Sequence, residues 1–354
     1  MPAQKLVRTT IPAGSLSARR RGFAGRPQLY FGNSDAMRAP RFICALLLLT
    51  LLTRARGADA QTNAGAAEST ARYRLGVSVD EVSLTFHAAD AQGLPINDIK
   101  LDELSLLDKG LPPKRILAFE SLLDFPIRAG ILLDTSESME PYLARNRGIS
   151  IAYAQQLLRQ QTDQAFVMDF SFLAEITQPW TGSANALTAG IHKFAAHGES
   201  RIGGTAIFNA VYQACLNQFD KIDHAASGNF ILLFSDGEDN ASHAYLQQAV
   251  SICQRANTAI YAFRPEAKYS FSSGPKTLAE LTSETGGRVF FSDDADATIF
   301  DDLRIIEADM RNQYLLVYKP AEFRHDSSFH RIELRAPARV DSITIRSGYY
   351  APAH

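Results

Sequence analysis

The sequence predicts an α/β protein: a doubly wound, mostly parallel, Rossmann-like sheet of six strands, with a small β-sandwich built from strands at both ends of the chain. Two observations carry this. From about Pro126 to Asn312, short apolar runs alternate with longer helix-like segments, the mark of a parallel sheet covered on both faces. On either side of that region the pattern changes to period two, which suits half-buried strands.

Taken in order, the strands of the large sheet are expected at Ala129–Leu133, Gln164–Phe170, Glu175–Gln178, Phe230–Phe234, Ala259–Phe263 and Arg288–Phe291. The short link from Phe170 to Glu175 leaves room only for a hairpin, so one pair is antiparallel. Helices are expected at Pro141–Gln161, Ala184–Ala195, Ala206–Asp220, Ala241–Ala256, Lys276–Thr285 and Ala297–Asn312. Pro141 fits a first helical turn, where no amide donor is needed. Gly286-Gly287 fits a helix C-terminus. Before this region, Val77–Phe86, Leu104–Leu107 and Arg115–Phe119 read as strands, with turns at Ala91–Pro95 and Asp108–Pro113. After it, Tyr314–Tyr318, Phe329–Leu334 and Asp341–Ile345 do the same. A three-stranded tail has little core of its own. It is expected to pack on the N-terminal strands. No internal repeat is evident.

The N-terminus reads differently. Residues 1–60 contain ten Lys/Arg and two Asp/Glu, leaving 26 Lys/Arg against 36 Asp/Glu, a net of −10, in the rest. Arg38 and Arg41 precede the apolar run Phe42–Leu52, and Ala58-Asp59-Ala60 follows as a small-x-small cleavage site. That run is short for a membrane span and right for a signal peptide. Arg54 and Arg56 behind it are atypical of one, so an uncleaved anchor is the alternative. No other run is long enough to span a bilayer. The expected division is 1–36, a non-native or disordered extension before Met37; 37–60, signal peptide; 61–72, linker; 73–125, N-terminal β unit; 126–313, α/β domain; 314–354, C-terminal strands. The Arg20-Arg21 pair lies too far upstream to be read as a twin-arginine signal. The expected location is secreted or periplasmic. The acidic body argues against a nucleic-acid partner.

Of the cysteines, Cys44 lies in the apolar run. Cys215 and Cys253 lie in two helical segments. Exported, they could oxidise; since each sits on an otherwise apolar helix face, two inert, buried thiols are the preferred reading. No Cys or His spacing reads as a zinc site.

The chemistry concentrates at strand ends. Asp134-Thr135-Ser136-Glu137-Ser138 follows Ala129–Leu133, Gly203-Gly204-Thr205 opens a helix, and Asp236 follows Phe230–Phe234. Ligands of open α/β sheets bind beyond the carboxyl ends of the strands. Oxygen-bearing side chains gathered there suit a hard cation such as Mg²⁺, or Mn²⁺ or Ca²⁺. Singly, each residue has a structural reading: Ser138 and Thr205 as helix caps, Asp236-Gly237 as a turn. Together, Asp134, Ser136, Ser138, Thr205 and Asp236 read as one metal site. Ser136 and Ser138 would coordinate directly, and Asp134 and Asp236 would hold metal-bound waters. Thr205 adds a fifth oxygen, and one position stays open. Glu238 and Asp239 read as solvated loop charges.

Asp-x-Ser-x-Ser, then a lone Thr, then Asp after a strand resembles the metal-ion-dependent adhesion site of von Willebrand factor A domains. Asp108–Pro113 followed by Ile116 and Phe119, together with Asn312-Gln313-Tyr314 and Arg346–Pro352, is similar to a bacterial, Acidobacteria-type group of von Willebrand factor A-related proteins. This chain has one extra residue before Ile116, and Glu137 where many members have Gly. The resemblance implies an exported, non-enzymatic binding protein whose cation takes a carboxylate from a protein ligand, as in cell adhesion. It implies membrane association only if the apolar segment stays uncleaved. The alternatives are a scaffold with a vestigial site or a metal-dependent hydrolase. Against an enzyme, the second Asp of a haloacid dehalogenase-type phosphatase is replaced by Ser136. No phosphate-binding Gly-rich loop follows the first strand, and no Gly-x-Ser-x-Gly elbow or His-Glu-x-x-His helix occurs.

The mature protein is expected to begin near Gln61. N-terminal sequencing of exported protein checks this, and an intact Leu46–Leu49 stretch would contradict it.

Overall fold

The computed structural model describes residues 81–159, 161–193, 203–221, 227–266 and 272–351. The extension, the signal-like segment with Cys44, the linker and residues 73–80 lie outside the described residues.

The large sheet has the strand order β6-β5-β4-β7-β8-β9. These strands are Ile127–Asp134 (β4), Gln164–Phe170 (β5), Ala174–Thr181 (β6), Gly228–Phe234 (β7), Thr258–Arg264 (β8) and Val289–Phe291 (β9). β4 pairs parallel with both β5 and β7, and only β5–β6 is antiparallel, the hairpin expected from the short link. Alternate residues point to opposite faces, and this assigns the helices. Ala129, Ile131 and Leu133 share a core with helices α1 (Leu143–Leu157), α2 (Ala184–Lys193) and α6 (Asp296–Arg311). Leu132, Ile231 and Leu233 face the other way, against α3 (Ile207–Ala214), α4 (Leu246–Arg255) and α5 (Gly274–Thr285). Both faces are covered, so the central strands are continuous apolar runs.

Two helices start later than expected. Pro141 lies in a 3₁₀ turn, Glu137–Tyr142, that leads into α1. The N–H groups of His243 and Ala244 are held by the Asn209 side chain, so 241–245 is a braced loop and α4 begins at Leu246. Gly286 ends α5 in the left-handed conformation, and its N–H and that of Gly287 donate to the Thr282 carbonyl. Among the described residues no helix is long and apolar enough to cross a membrane.

Strands from both ends of the chain build two smaller sheets. One has the order β12-β1-β10-β3 and the other β13-β11-β2. Their strands are β1 (Val82–Ala89), β2 (Ser105–Asp108), β3 (Arg115–Leu122), β10 (Gln313–Lys319), β11 (Phe329–Arg335), β12 (Ser342–Ile345) and β13 (Gly348–Tyr350). Leu84, Phe86, Tyr314 and Leu316 of the first sheet share a core with Leu106, Ile332 and Tyr349 of the second. Tyr314 stacks between Phe86 and Phe119, at centroid distances of 5.0 and 5.4 Å. A polar cluster is buried in that core. The Asp108 carboxylate accepts from the Tyr318 and Tyr349 hydroxyls at 2.9 and 2.8 Å and lies 2.9 Å from His330 Nδ1. The turn expected at Asp108–Pro113 is present, with Leu111 N–H donating to the Asp108 carbonyl. The side chain of its first residue joins the two sheets.

Cys215 and Cys253 form a disulfide, which corrects the preferred reading of two inert thiols. Both are fully buried. The bond joins the π-helical turn Cys215–Phe219, which continues α3, to α4. Closing a loop with a sequence separation of 38 constrains the unfolded chain by roughly 4 kcal/mol on the loop-entropy account.

Two outcomes follow from this packing. Replacing both cysteines by serine should lower unfolding stability by roughly 2–4 kcal/mol; coincident denaturant midpoints for the variant and the oxidised wild type would contradict the role assigned to the bond. Ending the chain after Asn312 removes β10, on which β1 and β3 both pair. The product should aggregate in size-exclusion chromatography, and a monomer as stable as the full chain would contradict the shared sandwich core.

Candidate functional site

The candidate residues occupy the carboxyl ends of β4 and β7 and the loop before α3. Asp134 is the last residue of β4 and is 1% exposed. Beyond it the chain turns sharply, with Asp134 Oδ1 accepting from Ser136 N–H at 3.0 Å. Its other oxygen accepts from the Ser235 hydroxyl at 2.6 Å. Ser235, fully buried beside Asp236, in turn accepts from Gly237 N–H at 3.1 Å. Asp236 repeats the Asp134 turn: its Oδ1 accepts from Glu238 N–H at 3.0 Å. The turn reading of Asp236-Gly237 therefore holds, and it leaves Oδ2 of Asp236 outside that bond. Gly237 has φ +88°, and a Cβ there would lie 2.3 Å from the Gly274 carbonyl oxygen, so only glycine fits.

The two serines converge. Ser136 Oγ and Ser138 Oγ lie 3.3 Å apart. Ser138 lies inside the 3₁₀ turn Glu137–Tyr142 and not at its cap position, which Ser136 holds without a side-chain capping bond, so the capping reading of Ser138 does not hold. Neighbouring ligands of an octahedral ion at about 2.1–2.4 Å are separated by about 3.0–3.4 Å. The serine pair therefore fits adjacent positions on one hard cation. Glu137 between them is exposed.

Electrostatics agrees with this fit. Burial pushes the Asp134 carboxyl up to about 7; hydrogen bonds from Ser136 and Ser235 oppose the rise, and the charge of Asp236 adds to it. The charge of Asp236 is therefore felt at Asp134. Among the described residues no cluster of three or more His, Cys, Asp or Glu side chains could hold a metal. A cation here depends on the hydroxyls.

Thr205 is 4% exposed. Ala206, not Thr205, precedes α3, and it makes no side-chain cap, so the capping reading of Thr205 does not hold. The end of β5 ties its segment to β4: the Phe170 carbonyl accepts from Thr135 N–H at 2.8 Å, and the next carbonyl, of Ser171, accepts from Ala206 N–H at 2.8 Å.

Two acids need correction. Glu238 is not a solvated loop charge. Its carboxylate accepts from the Ser272 and Ser273 hydroxyls and from Gly274 N–H, capping the start of α5, and these bonds hold its pKa below the usual carboxylate value. Asp239 accepts from Phe208 N–H at 2.9 Å and from the Ser242 hydroxyl at 2.6 Å, bracing the first turn of α3. The bonds to Phe208, Ser272, Ser273 and Gly274 were not legible in the spacing, because those partners lie 31 to 36 residues away. Ser235 was also missed, being buried at the end of an apolar run.

Residues 130–238 match the family model of the von Willebrand factor type A domain. No curated protein matches the chain. Among solved structures, the chain is similar to the conserved hypothetical protein BatB from Bacteroides thetaiotaomicron, at 16% identity over 51% of this chain and 97% of that one, with a TM-score of 0.41. It is similar to proximal thread matrix protein 1 from the mussel byssus with a zinc-occupied MIDAS motif, at 16% identity over 58% of this chain and 50% of that one, with a TM-score of 0.43. A von Willebrand factor type A structure from Catenulispora acidiphila is 15% identical over 77% of this chain and 73% of that one, with a TM-score of 0.42.

Proposed function

We propose, from the premise that this chain carries a von Willebrand factor type A domain, that it is an exported protein that binds a protein ligand through a divalent cation. Such domains generally mediate protein–protein interaction, and some hold a metal. The reading adds that Asp134, Ser136, Ser138, Thr205 and Asp236 would hold Mg²⁺, Mn²⁺ or Ca²⁺. The observation that carries it is the pair of serine hydroxyls 3.3 Å apart beside the buried Asp134.

When bound, the cation supplies a Lewis-acid position that accepts an anionic oxygen. The chain's own residues do the rest. Ser235 and the Ser136 N–H fix both oxygens of Asp134, so that this carboxylate would be held in one orientation towards the ion. Neutral hydroxyls as direct ligands leave the ion's charge largely uncompensated. A carboxylate from a partner protein would supply that oxygen. Export is supported by the apolar run Phe42–Leu52 and by the disulfide, since such bonds persist in oxidising compartments.

Thermal melting against added Mg²⁺ and Mn²⁺ tests this. A ligand bound only by the native state adds about 2.7 kcal/mol at a hundred times its Kd, so wild-type melting should rise with either ion. Asp134→Ala should abolish the rise and Ser136→Ala should weaken it. Glu238→Gln should lower melting without ion, through its cap, and leave the ion-dependent rise in place. A wild type that ignores both ions at millimolar concentration would overturn the metal reading and leave a scaffold in its place.

A further inference from the structure

Thr205 is held by a segment distant in sequence. Its N–H donates to Asn240 Oδ1 at 2.7 Å. Its carbonyl accepts from Asn240 N–H at 3.0 Å and from Ala241 N–H at 3.1 Å. Both polar groups of the Thr205 backbone are therefore taken by one short stretch that begins four residues after Asp236. The fit is close. Gly204 has φ +95°, and a Cβ there would lie 2.2 Å from Asn240 Oδ1. The side chain of Asn240 occupies the space that any other residue at 204 would need. On the far side, Asp239 holds Phe208 N–H, so the same loop also sets the start of α3.

We propose that Asn240 is the positioning residue of the site: it locks the Thr205 loop to the Asp236 loop, so that the two segments present their oxygens to a cation as one unit. This rests on the cation reading above. Coordination of a small hard cation demands near-ideal geometry, and a threonine hydroxyl on a loop that moves by itself would be a poor ligand. Asn240 would touch neither ion nor partner. Its effect passes through Thr205.

The test compares Asn240→Ala and Asn240→Asp in the full chain, with two readouts. The first is hydrogen exchange at the Thr205 amide without ion. The second is the Mg²⁺ concentration at half-maximal melting shift. Alanine removes the acceptor; aspartate keeps an oxygen in its place. Asn240→Ala should speed Thr205 exchange and raise the Mg²⁺ midpoint, each by about tenfold, the value of one ordinary hydrogen bond. Exchange in the β4 and β7 amides should stay unchanged, which separates a local effect from loss of fold. Asn240→Asp should restore Thr205 protection and bring the midpoint back towards wild type. Wild-type protection and midpoint in Asn240→Ala would overturn the inference, as would an aspartate variant no better protected than alanine. A wild type that responds to Mg²⁺ alongside an unaffected alanine variant would overturn this inference alone. A wild type that ignores Mg²⁺ would overturn both it and the reading beneath it.

Discussion

The site depends on one arrangement: a carboxylate buried at the end of the central strand and held at both oxygens. Asp134 is 1% exposed, and its bonds come from Ser136 N–H and the Ser235 hydroxyl. Those bonds direct the chain after β4 into the turn that brings Ser136 and Ser138 together. They also join β4 to the end of β7, where Asp236 stands. Burying a carboxylate is unfavourable unless charge or hydrogen bonds compensate. Two neutral donors compensate in part, and the upward shift of the Asp134 pKa records the remainder.

The rest of the molecule holds that mouth in place. Parallel pairing of β4 with β5 and β7 sets the heights of Phe170 and Asp236 relative to Asp134. The Phe170 and Ser171 carbonyls take up Thr135 and Ala206. The disulfide joins the helices that follow the Thr205 and Asp236 loops. At the opposite end of β4, Arg311 and Asp163 form a buried pair at 2.8 Å, and Asp163 also accepts from Ile127 N–H. That pair anchors the start of the strand that Asp134 ends. Breaking such a pair leaves a buried charge uncompensated.

Much of this was legible in the sequence, for physical reasons. Apolar runs such as Phe230–Phe234 announce strands buried on both faces, and alternation at Tyr314–Tyr318 announces the small sheets. Asp134, Ser136, Ser138 and Asp236 could be named as candidates because strand ends locate binding sites in this fold class, and Thr205 because it completes the pattern that resembles the von Willebrand factor A site. What stayed hidden is long-range polar pairing. Asp108 reads as a turn residue, yet its carboxylate lies in the sandwich core between Tyr318, Tyr349 and His330. Glu238 and Asp239 read as surface charges because the partners in α3 and at the start of α5 are brought near only by folding. Asn240 carries no signal at all in the sequence, since its bond to Thr205 spans 35 positions. The late start of α4 has the same origin: tertiary bonds from Asn209 override helical propensity in 241–245.

The central claim is that these oxygens form one cation site. Crystals of the full chain soaked in Mn²⁺ and measured at the manganese absorption edge test it most directly. The account predicts an anomalous peak within direct bonding distance of both Ser136 Oγ and Ser138 Oγ, with Asp134 reached through water. Manganese bound elsewhere on the chain, with no density between the two serines, would contradict it.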